Sequence, residues 1–247
     1  MMRSSGCGKE DGEMSVNIAI DGPAGVGKST IAKALAQELG YTYIDTGALY
    51  RALGVYFTDK GLSGDDEAEV SAALDGVTIG IEYKEDEQHV FVNGTDVTDR
   101  LRTEEISRMA SRTSGYADVR AKLLDIQRDL AASHDSIMDG RDIGTVILPN
   151  ADVKIFLTAR PEVQARRRYN QLVEKNALGD ATYESILADI RERDYRDSHR
   201  DIAPLKAAED AVTIDTSDLT IEDVKSEILD ELALSLVEKQ IEAYTQD

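Results

Sequence analysis

The sequence predicts an α/β fold assembled around a phosphate-binding loop, and three observations carry that expectation. Gly22-Pro23-Ala24-Gly25-Val26-Gly27-Lys28-Ser29-Thr30 fits the spacing G-x-x-x-x-G-K-[ST]. A short apolar run, Val16 to Ile20, precedes that loop, and Ile31, Leu35 and Leu39 follow it at helical spacing until Gly40. The order strand-then-helix then recurs down the chain. In the loop, the glycines let backbone amides turn inward around a polyphosphate at the positive end of the following helix. Lys28 is placed to reach the outer phosphates. The Ser29 hydroxyl stands where a magnesium ion bridging two phosphates needs an oxygen ligand, and Thr30 closes the first helical turn.

The remaining elements follow in order. Tyr41 to Asp45 reads as a second strand, with Thr46 as the expected N-cap of a helix through Arg51. An acidic helical piece lies between Gly61 and Gly76. Val77 to Tyr83 and His89 to Val92 alternate like paired strands across a Lys84 to Gln88 turn, so a hairpin interrupts the α/β pattern. Asn93-Gly94 marks a further turn. Helical stretches are expected near Thr103 to Arg112 and from Tyr116 to Ala132, the second with Val119, Leu123, Ile126 and Leu130 as an apolar stripe. Ser136 to Met138 is a short strand running into Asp139-Gly140-Arg141-Asp142, and Asp152 to Thr158 is a strand with Val153, Ile155 and Leu157 on one face. Charged residues at the carboxyl end of such a strand mark a ligand crevice. Pro161 opens a helix carrying Arg166, Arg167 and Arg168, of which at most two can serve one site at about 100° per residue. A helix over Asp180 to Asp197, a strand over Ala211 to Asp215 and a long helix from Thr220 to Tyr244 complete the chain. The last carries Ile221, Val224, Ile228, Leu232 and Leu236 on one face.

Composition narrows the function. With 48 acidic against 28 basic side chains the formal net charge is −20, which argues against sustained contact with a nucleic-acid backbone and leaves any anionic substrate to local arginines. The one cysteine, Cys7, rules out an internal disulfide and a cysteine metal cluster, and suits a reducing, cytoplasmic compartment. Apolar runs fall well short of the roughly 20 residues of a membrane span. Residues 1 to 13 are nearly devoid of apolar side chains and read as a disordered leader, followed by a single domain over residues 14 to 247.

Four segments can bring an arginine to an anion: Arg51, Arg120, Arg141, and the run from Arg191 to Arg200. In that run Arg193, Asp197 and Arg200 stand at i, i+4 and i+7, so one helical face presents two guanidinium groups around a carboxylate. Alone this is a surface ion-pair ladder. Beside a phosphate loop it suits phosphoryl transfer, which is catalysed mainly by positioning and by positive charge around the moving group.

The combination of GPAGVGKST, IDTGALYRAL, MDGRDIGTVILPNADVKIFLTA and RERDYRDSHRDIAPL resembles the bacterial cytidylate kinase family from about Val16 to Leu232. The resemblance implies a P-loop NTPase fold with a five-stranded parallel sheet flanked by helices, a small β-containing insert at about residues 61 to 112 in the monophosphate-binding region, and a helical lid at about 161 to 180. It implies transfer of a phosphoryl group from ATP, with Mg2+, to CMP or dCMP; a monomer is expected, and composition speaks against nucleic acid or membrane as a partner. Carried over, residues 22 to 30 hold ATP, Arg51, Arg141 and Arg200 the monophosphate, and Ser111, Arg120 and Asp142 the cytosine. Arg193 and Asp197 contact the sugar, and Thr46 and Asp139 complete the CMP site. Lys28, Arg141, Arg167, Arg168 and Arg193 form the catalytic set, with Arg167 and Arg168 approaching the ATP phosphates. Position 46 is threonine where some relatives carry serine. Of the rival readings, a GTP-binding switch lacks its N-K-x-D motif, and a bare ATP-binding module does not need so many arginines outside the loop. A P-loop kinase for a sugar or shikimate-like acid shares loop and lid, but has no use for Asp142 and Arg120 against a base.

Overall fold

The chain enters on β1 (Asn17–Asp21), a strand buried along nearly its whole length. The structure is a computed structural model that describes residues 15 to 85 and 87 to 246, so the expected leader and Cys7 lie outside the described residues. At the end of β1 the backbone turns through Gly22 at φ 145°, where a Cβ would sit 2.2 Å from the Leu157 carbonyl oxygen, so only glycine fits. Helix α1 (Lys28–Leu39) follows the loop and stops at Gly40, whose left-handed conformation lets its N–H bond the Ala36 carbonyl. Next come β2 (Thr42–Asp45) and α2 (Thr46–Asp59). The N-cap of α2 is Asp45, not Thr46: its carboxylate accepts the Ala48 N–H at 2.9 Å. Thr46 is instead the first helical residue, and its hydroxyl donates to the Asp139 carbonyl at 2.8 Å.

The acidic piece forms α3 (Glu67–Ala73) and a 3-10 turn, Leu74–Gly76. Strands β3 (Ile79–Lys84) and β4 (Glu87–Val92) pair antiparallel, with Lys84 opposite Glu87, so their turn is tighter than the one expected. Asn93 and Gly94, both at positive φ, turn the chain into β5 (Thr95–Asp96). Two residues are too few to show alternation in sequence. Helices α4 (Glu104–Thr113) and α5 (Ala117–Ser133) lead to β6 (Ser136–Asp139), a π-helical turn at Ile143–Ile147, and β7 (Val153–Thr158). Then come α6 (Pro161–Glu174), α7 (Tyr183–His199), β8 (Val212–Asp215) and α8 (Ile221–Gln246). Among the described residues no helix is long and apolar enough to cross a membrane.

The main sheet has five parallel strands in the order β2-β6-β1-β7-β8. Helices cover both faces, which is why Val153, Lys154, Ile155 and Leu157 of β7 are all buried where one apolar face was expected. One face packs Ile18, Ile20, Leu157 and Ile155 against Leu35 of α1 and Ile228 of α8; the other packs Ala19, Ile44 and Met138 against Ile143 and Ala131. On α8 only Val224, Ile228 and Leu232 of the expected stripe are buried, Ile221 and Leu236 being 46% and 36% exposed. Register pairs Asp139 with Ile20 on one side and Asp45 on the other, so Asp21, Asp45 and Asp139 lie together at the carboxyl end of the sheet.

The hairpin segment packs on α2 through its own core, which includes Leu53, Phe57, Val90, Ile106 and Leu123, while α6 and α7 share a smaller one of Ala165, Leu172, Ile186 and Ile190. Phe57 is wholly buried in the first of these. Phe57→Ala is expected to destabilise the fold by about 3–5 kcal/mol in urea unfolding. A loss below about 1 kcal/mol would show that this core does not unfold with the rest.

Candidate functional site

The phosphate loop is held from three directions. Lys28 Nζ donates to the carbonyls of Gly22 and Pro23 at 2.7 and 2.6 Å. The Ser29 hydroxyl donates to Asp139 Oδ2 at 2.7 Å, and the Tyr43 hydroxyl to Oδ1 at 3.0 Å. Burial, and then the nearby Asp45, hold the Asp139 carboxyl above its ordinary range against the pull of Lys28. Burial, and then Arg141, push the Lys28 ammonium well below the usual lysine value. From α7 the Asp194 carboxyl lies near the loop backbone at Ala24, and its burial raises its pKa. Arg167 of α6 donates to the Thr216 carbonyl at 2.6 Å, to its hydroxyl at 2.9 Å and to the Val26 carbonyl at 3.3 Å.

In front of the loop stand three guanidinium groups. Arg141 donates to the Gly22 carbonyl at 3.0 Å, and its Nε lies 2.7 Å from Asp197 Oδ2. Arg193 Nε is 3.9 Å from the same oxygen, too far for a hydrogen bond. Arg51 is bound to Asp45 at 2.8 Å. The nearness of Arg141, then burial, lowers Arg193 to about 10, with Arg51 adding to the effect. The Nε atoms of Arg51 and Arg193 are buried without a hydrogen-bond partner. Each such donor costs about 1–3 kcal/mol, and the crowded charges add repulsion. An anion accepting those donors relieves both.

Beside this cluster lies a second group. Arg120 is ion-paired with Asp142, donates to the Ser114 carbonyl at 3.1 Å and lies 5.6 Å over the Tyr50 ring. Arg200 Nη2 is 3.7 Å from the other Asp142 oxygen, and its Nε donates to the Ala203 carbonyl at 2.5 Å. Asp142, only 3% exposed, thus sits between two guanidinium groups. Asp21 fixes the backbone that follows it: its carboxylate accepts the N–H groups of Ile143 and Gly144, both at 2.8 Å. Burial lifts Asp21 to about 7.

Most of the expected residues converge on these two groups, with differences in detail. Arg200 does not share a helical face with Arg193 and Asp197, because α7 ends at His199 and Arg200 is extended. Arg141 takes the place beside Asp197. Asp139, expected at the CMP site, lies against Ser29 of the phosphate loop, and the Thr46 hydroxyl is committed to its carbonyl. Ser111 sits on α4 one turn before Ser114, whose hydroxyl bonds the Ser111 carbonyl at 3.1 Å. Of the arginine triplet, Arg166 stacks 4.6 Å over Tyr183, Arg167 reaches the loop, and Arg168 pairs with Glu104 of α4 at 2.6 Å. Three residues escaped the sequence reading. Asp194 precedes Asp197 by three and so shares its helical face, a signal that was present. Tyr50 and Asp21 adjoin known motifs, but their contacts come from the fold.

Comparison with known proteins places this geometry. Residues 18–234 match the family model for cytidylate kinase. The cytidylate kinase of Lactobacillus johnsonii is 47% identical over 213 residues, covering 86% of this chain and 92% of its own. That of Bacillus subtilis is 45% identical over 218 residues, covering 88% and 96%. Among solved structures, the shikimate kinase of Bacteroides thetaiotaomicron aligns at a TM-score of 0.47 and 16% identity, over 88% of this chain and 98% of that one, a likeness too loose to bear on function.

The depressed Lys28 gives a proton-linkage test. A polyphosphate favours the ammonium form and returns Lys28 toward its ordinary value, so binding draws protons in at a pH above the free-state value. Calorimetry of ATP binding at pH 8 without divalent cation, in two buffers of different ionisation enthalpy, is expected to show uptake of up to about one proton. Lys28→Met should abolish most of it. Equal heats in both buffers would show that Lys28 is already fully protonated.

Proposed function

The chain belongs to the cytidylate kinase family, and we propose how the residues of its cleft carry out the family's reaction. The protein is an ATP-dependent phosphotransferase that moves the γ-phosphoryl group of ATP to CMP or dCMP, giving ADP and CDP or dCDP. The observation that most directly supports the site assignment is the pair of buried, unpartnered Nε donors of Arg51 and Arg193 beside Arg141, in front of the phosphate loop.

Amides of residues 22 to 30 cradle the ATP phosphates, and Lys28 leaves its loop carbonyls for the outer ones. Arg51, Arg141 and Arg200 hold the acceptor phosphate, and Arg193 and Asp197 the sugar, with Arg193 close enough to Arg141 to serve the moving group as well. An oxygen of the acceptor phosphate forms a bond to the γ-phosphorus as the bond to the bridging oxygen breaks, and the electron pair leaves with ADP. Negative charge spreads over the transferring group, where Lys28, Arg141 and Arg193 stabilise it. Arg167 from α6 and, once released from Glu104, Arg168 approach from the lid side. The α6–α7 hairpin is the proposed lid, excluding water that would otherwise take the phosphoryl group.

The donor set fits a magnesium ion. Ser29 hydroxyl and Asp139 carboxylate put hard oxygen ligands side by side at the loop, and Mg2+ is held by one or two such ligands together with substrate phosphates. When bound it supplies charge neutralisation between phosphates. Every residue named comes from one chain, so a monomer suffices. The charge of −20 disfavours nucleic acid as a partner, and the one-cysteine composition suits the cytoplasm.

Base choice is the deciding experiment, because a sugar or acid kinase has no need of the Arg120–Asp142 pair. Cytosine offers an amino donor where uracil offers a carbonyl. Asp142 accepts from the amino group, Arg120 donates to the ring acceptors, and Ser111 adapts to either. CMP and dCMP are expected to outrun UMP and AMP in a coupled assay of ADP formation. Asp142→Asn should lower turnover of CMP and narrow the CMP to UMP ratio of kcat/KM by at least about tenfold, the lower end of what one lost charged hydrogen bond is worth. A ratio that stays at the wild-type value would remove Asp142 from base reading.

A further inference from the structure

We propose that Gln88, on the insert hairpin, is a positioning residue for the acceptor nucleotide: its carboxamide fixes the Asp45 peptide and, through Asp45, the Arg51 guanidinium. The inference rests on the kinase reading above. β2 is an edge strand of the parallel sheet, so the outward backbone groups of its residues need partners from elsewhere. Gln88 Oε1 accepts the Asp45 N–H at 2.9 Å, and Gln88 Nε2 donates to the Asp45 carbonyl at 3.2 Å. A primary carboxamide carries the donor and acceptor of a peptide group, and here it stands in for one rung of a further strand. Two residues earlier on the same edge, the Tyr43 carbonyl accepts the Tyr83 hydroxyl at 3.2 Å. Tyr83 and Gln88 are register partners across β3 and β4. One rung of the hairpin therefore grips the edge of the main sheet.

What it grips is the residue on which Arg51 depends. The Asp45 carboxylate caps α2 through the Ala48 N–H with one oxygen and takes Arg51 Nη2 at 2.8 Å with the other. Gly47 leaves no side chain between them: a Cβ there would lie 2.8 Å from Arg51 Nη1 and 3.2 Å from the Asp45 carboxylate. Arg51 Nε has no partner of its own, so the Asp45 contact sets the direction of the guanidinium. A shift of the hairpin moves Gln88, the Asp45 peptide and Arg51 together, and acceptor binding at Arg51 acts back on the hairpin by the same route.

Gln88→Met keeps the length of the side chain and removes both hydrogen bonds; Tyr83→Phe removes the third and is the milder variant. We expect Gln88→Met to raise the KM for CMP about tenfold, as a displacement of under 1 Å at a binding arginine does. KM for ATP should stay within about twofold, and Tyr83→Phe should shift CMP in the same direction by less. In an Arg51→Ala background Gln88→Met should cost nothing further, because the route it acts through is gone. An unchanged KM for CMP in both single variants, an equal rise for ATP, or a full additional loss in the Arg51→Ala background overturns the proposal. Failure of the wild-type protein to phosphorylate CMP would instead overturn the kinase reading. In that case calorimetry with inorganic phosphate still decides the Gln88 question, since Gln88→Met must weaken phosphate binding only while Arg51 is present.

Discussion

Asp139 is the residue on which the site converges. Its carboxylate takes the hydroxyls of Ser29 and Tyr43, and its carbonyl takes that of Thr46, so the phosphate loop, the edge strand and the start of α2 are referred to one peptide. The register leaves no slack in this arrangement: a parallel strand displaced by one residue would turn Asp139 to the other face of the sheet. Burying a carboxylate is unfavourable unless it is hydrogen-bonded, and here the two hydroxyls supply that compensation. The constraint thus lies in the sheet. Loop position and helix entry follow from it.

A chain with a net charge of −20 catches a doubly charged substrate by separating global from local charge. Burial and then Arg141 lower the Lys28 pKa, and Arg141 and then burial lower that of Arg193, while the carboxylates that balance this cluster, Asp45 and Asp197, are each bonded to a guanidinium from one side. Coulomb interactions decay over about 8–10 Å at physiological ionic strength, so acidic groups on the outer surface do little to this cluster. Unpaired donors in the cleft are a stability cost that an anion accepting them would remove. That cost is the physical reason for assigning them to a ligand and not to the fold.

How much of this was legible in sequence depended on the range of the interaction. The loop was readable because amide cradle, lysine and hydroxyl are spaced along consecutive residues, and the strand-helix alternation fixed the layers. Helical spacing was right for Arg193 and Asp197 but wrong for Arg200, since periodicity holds only while the helix lasts and α7 stops one residue short of it. The Arg166–Arg168 triplet diverged as the 100° rule requires, yet nothing local could say that Arg168 meets Glu104, 64 positions away. Asp139 was read as part of a charged strand end and does close β6, but its contact with Ser29 was not legible, because strand order, which is invisible in a linear pattern, brings β6 beside β1. Asp45 displaced Thr46 as N-cap for a related reason: the strand ends one residue before the helix with Asp45 still extended, and the Thr46 hydroxyl is turned to the Asp139 carbonyl on the neighbouring strand.

Near the site the sheet, the insert and the α6–α7 hairpin are joined by polar contacts, while farther away α5 carries apolar residues into both the insert core and the sheet core. The sheet, the insert and the α6–α7 hairpin each have their own apolar core. The Gln88–Asp45 and Tyr83–Tyr43 bonds join insert to sheet, Asp197 joins α7 to Arg141, which holds the Gly22 carbonyl of the phosphate loop, and the exposed Arg168–Glu104 pair joins α6 to the insert. Exposed ion pairs are worth only about 0–1 kcal/mol, and single hydrogen bonds about 0.5–1.5 kcal/mol. Junctions of that strength break and re-form at little cost, whereas a continuous apolar interface would resist displacement. Under the proposed function, Arg51 beside the first junction, Arg193 beside Asp197 and Arg168 within the last are the arginines to which substrate binding would supply new partners. Closure of the proposed α6–α7 lid would then break the exposed Arg168–Glu104 pair and leave the core of Ala165, Leu172, Ile186 and Ile190 intact.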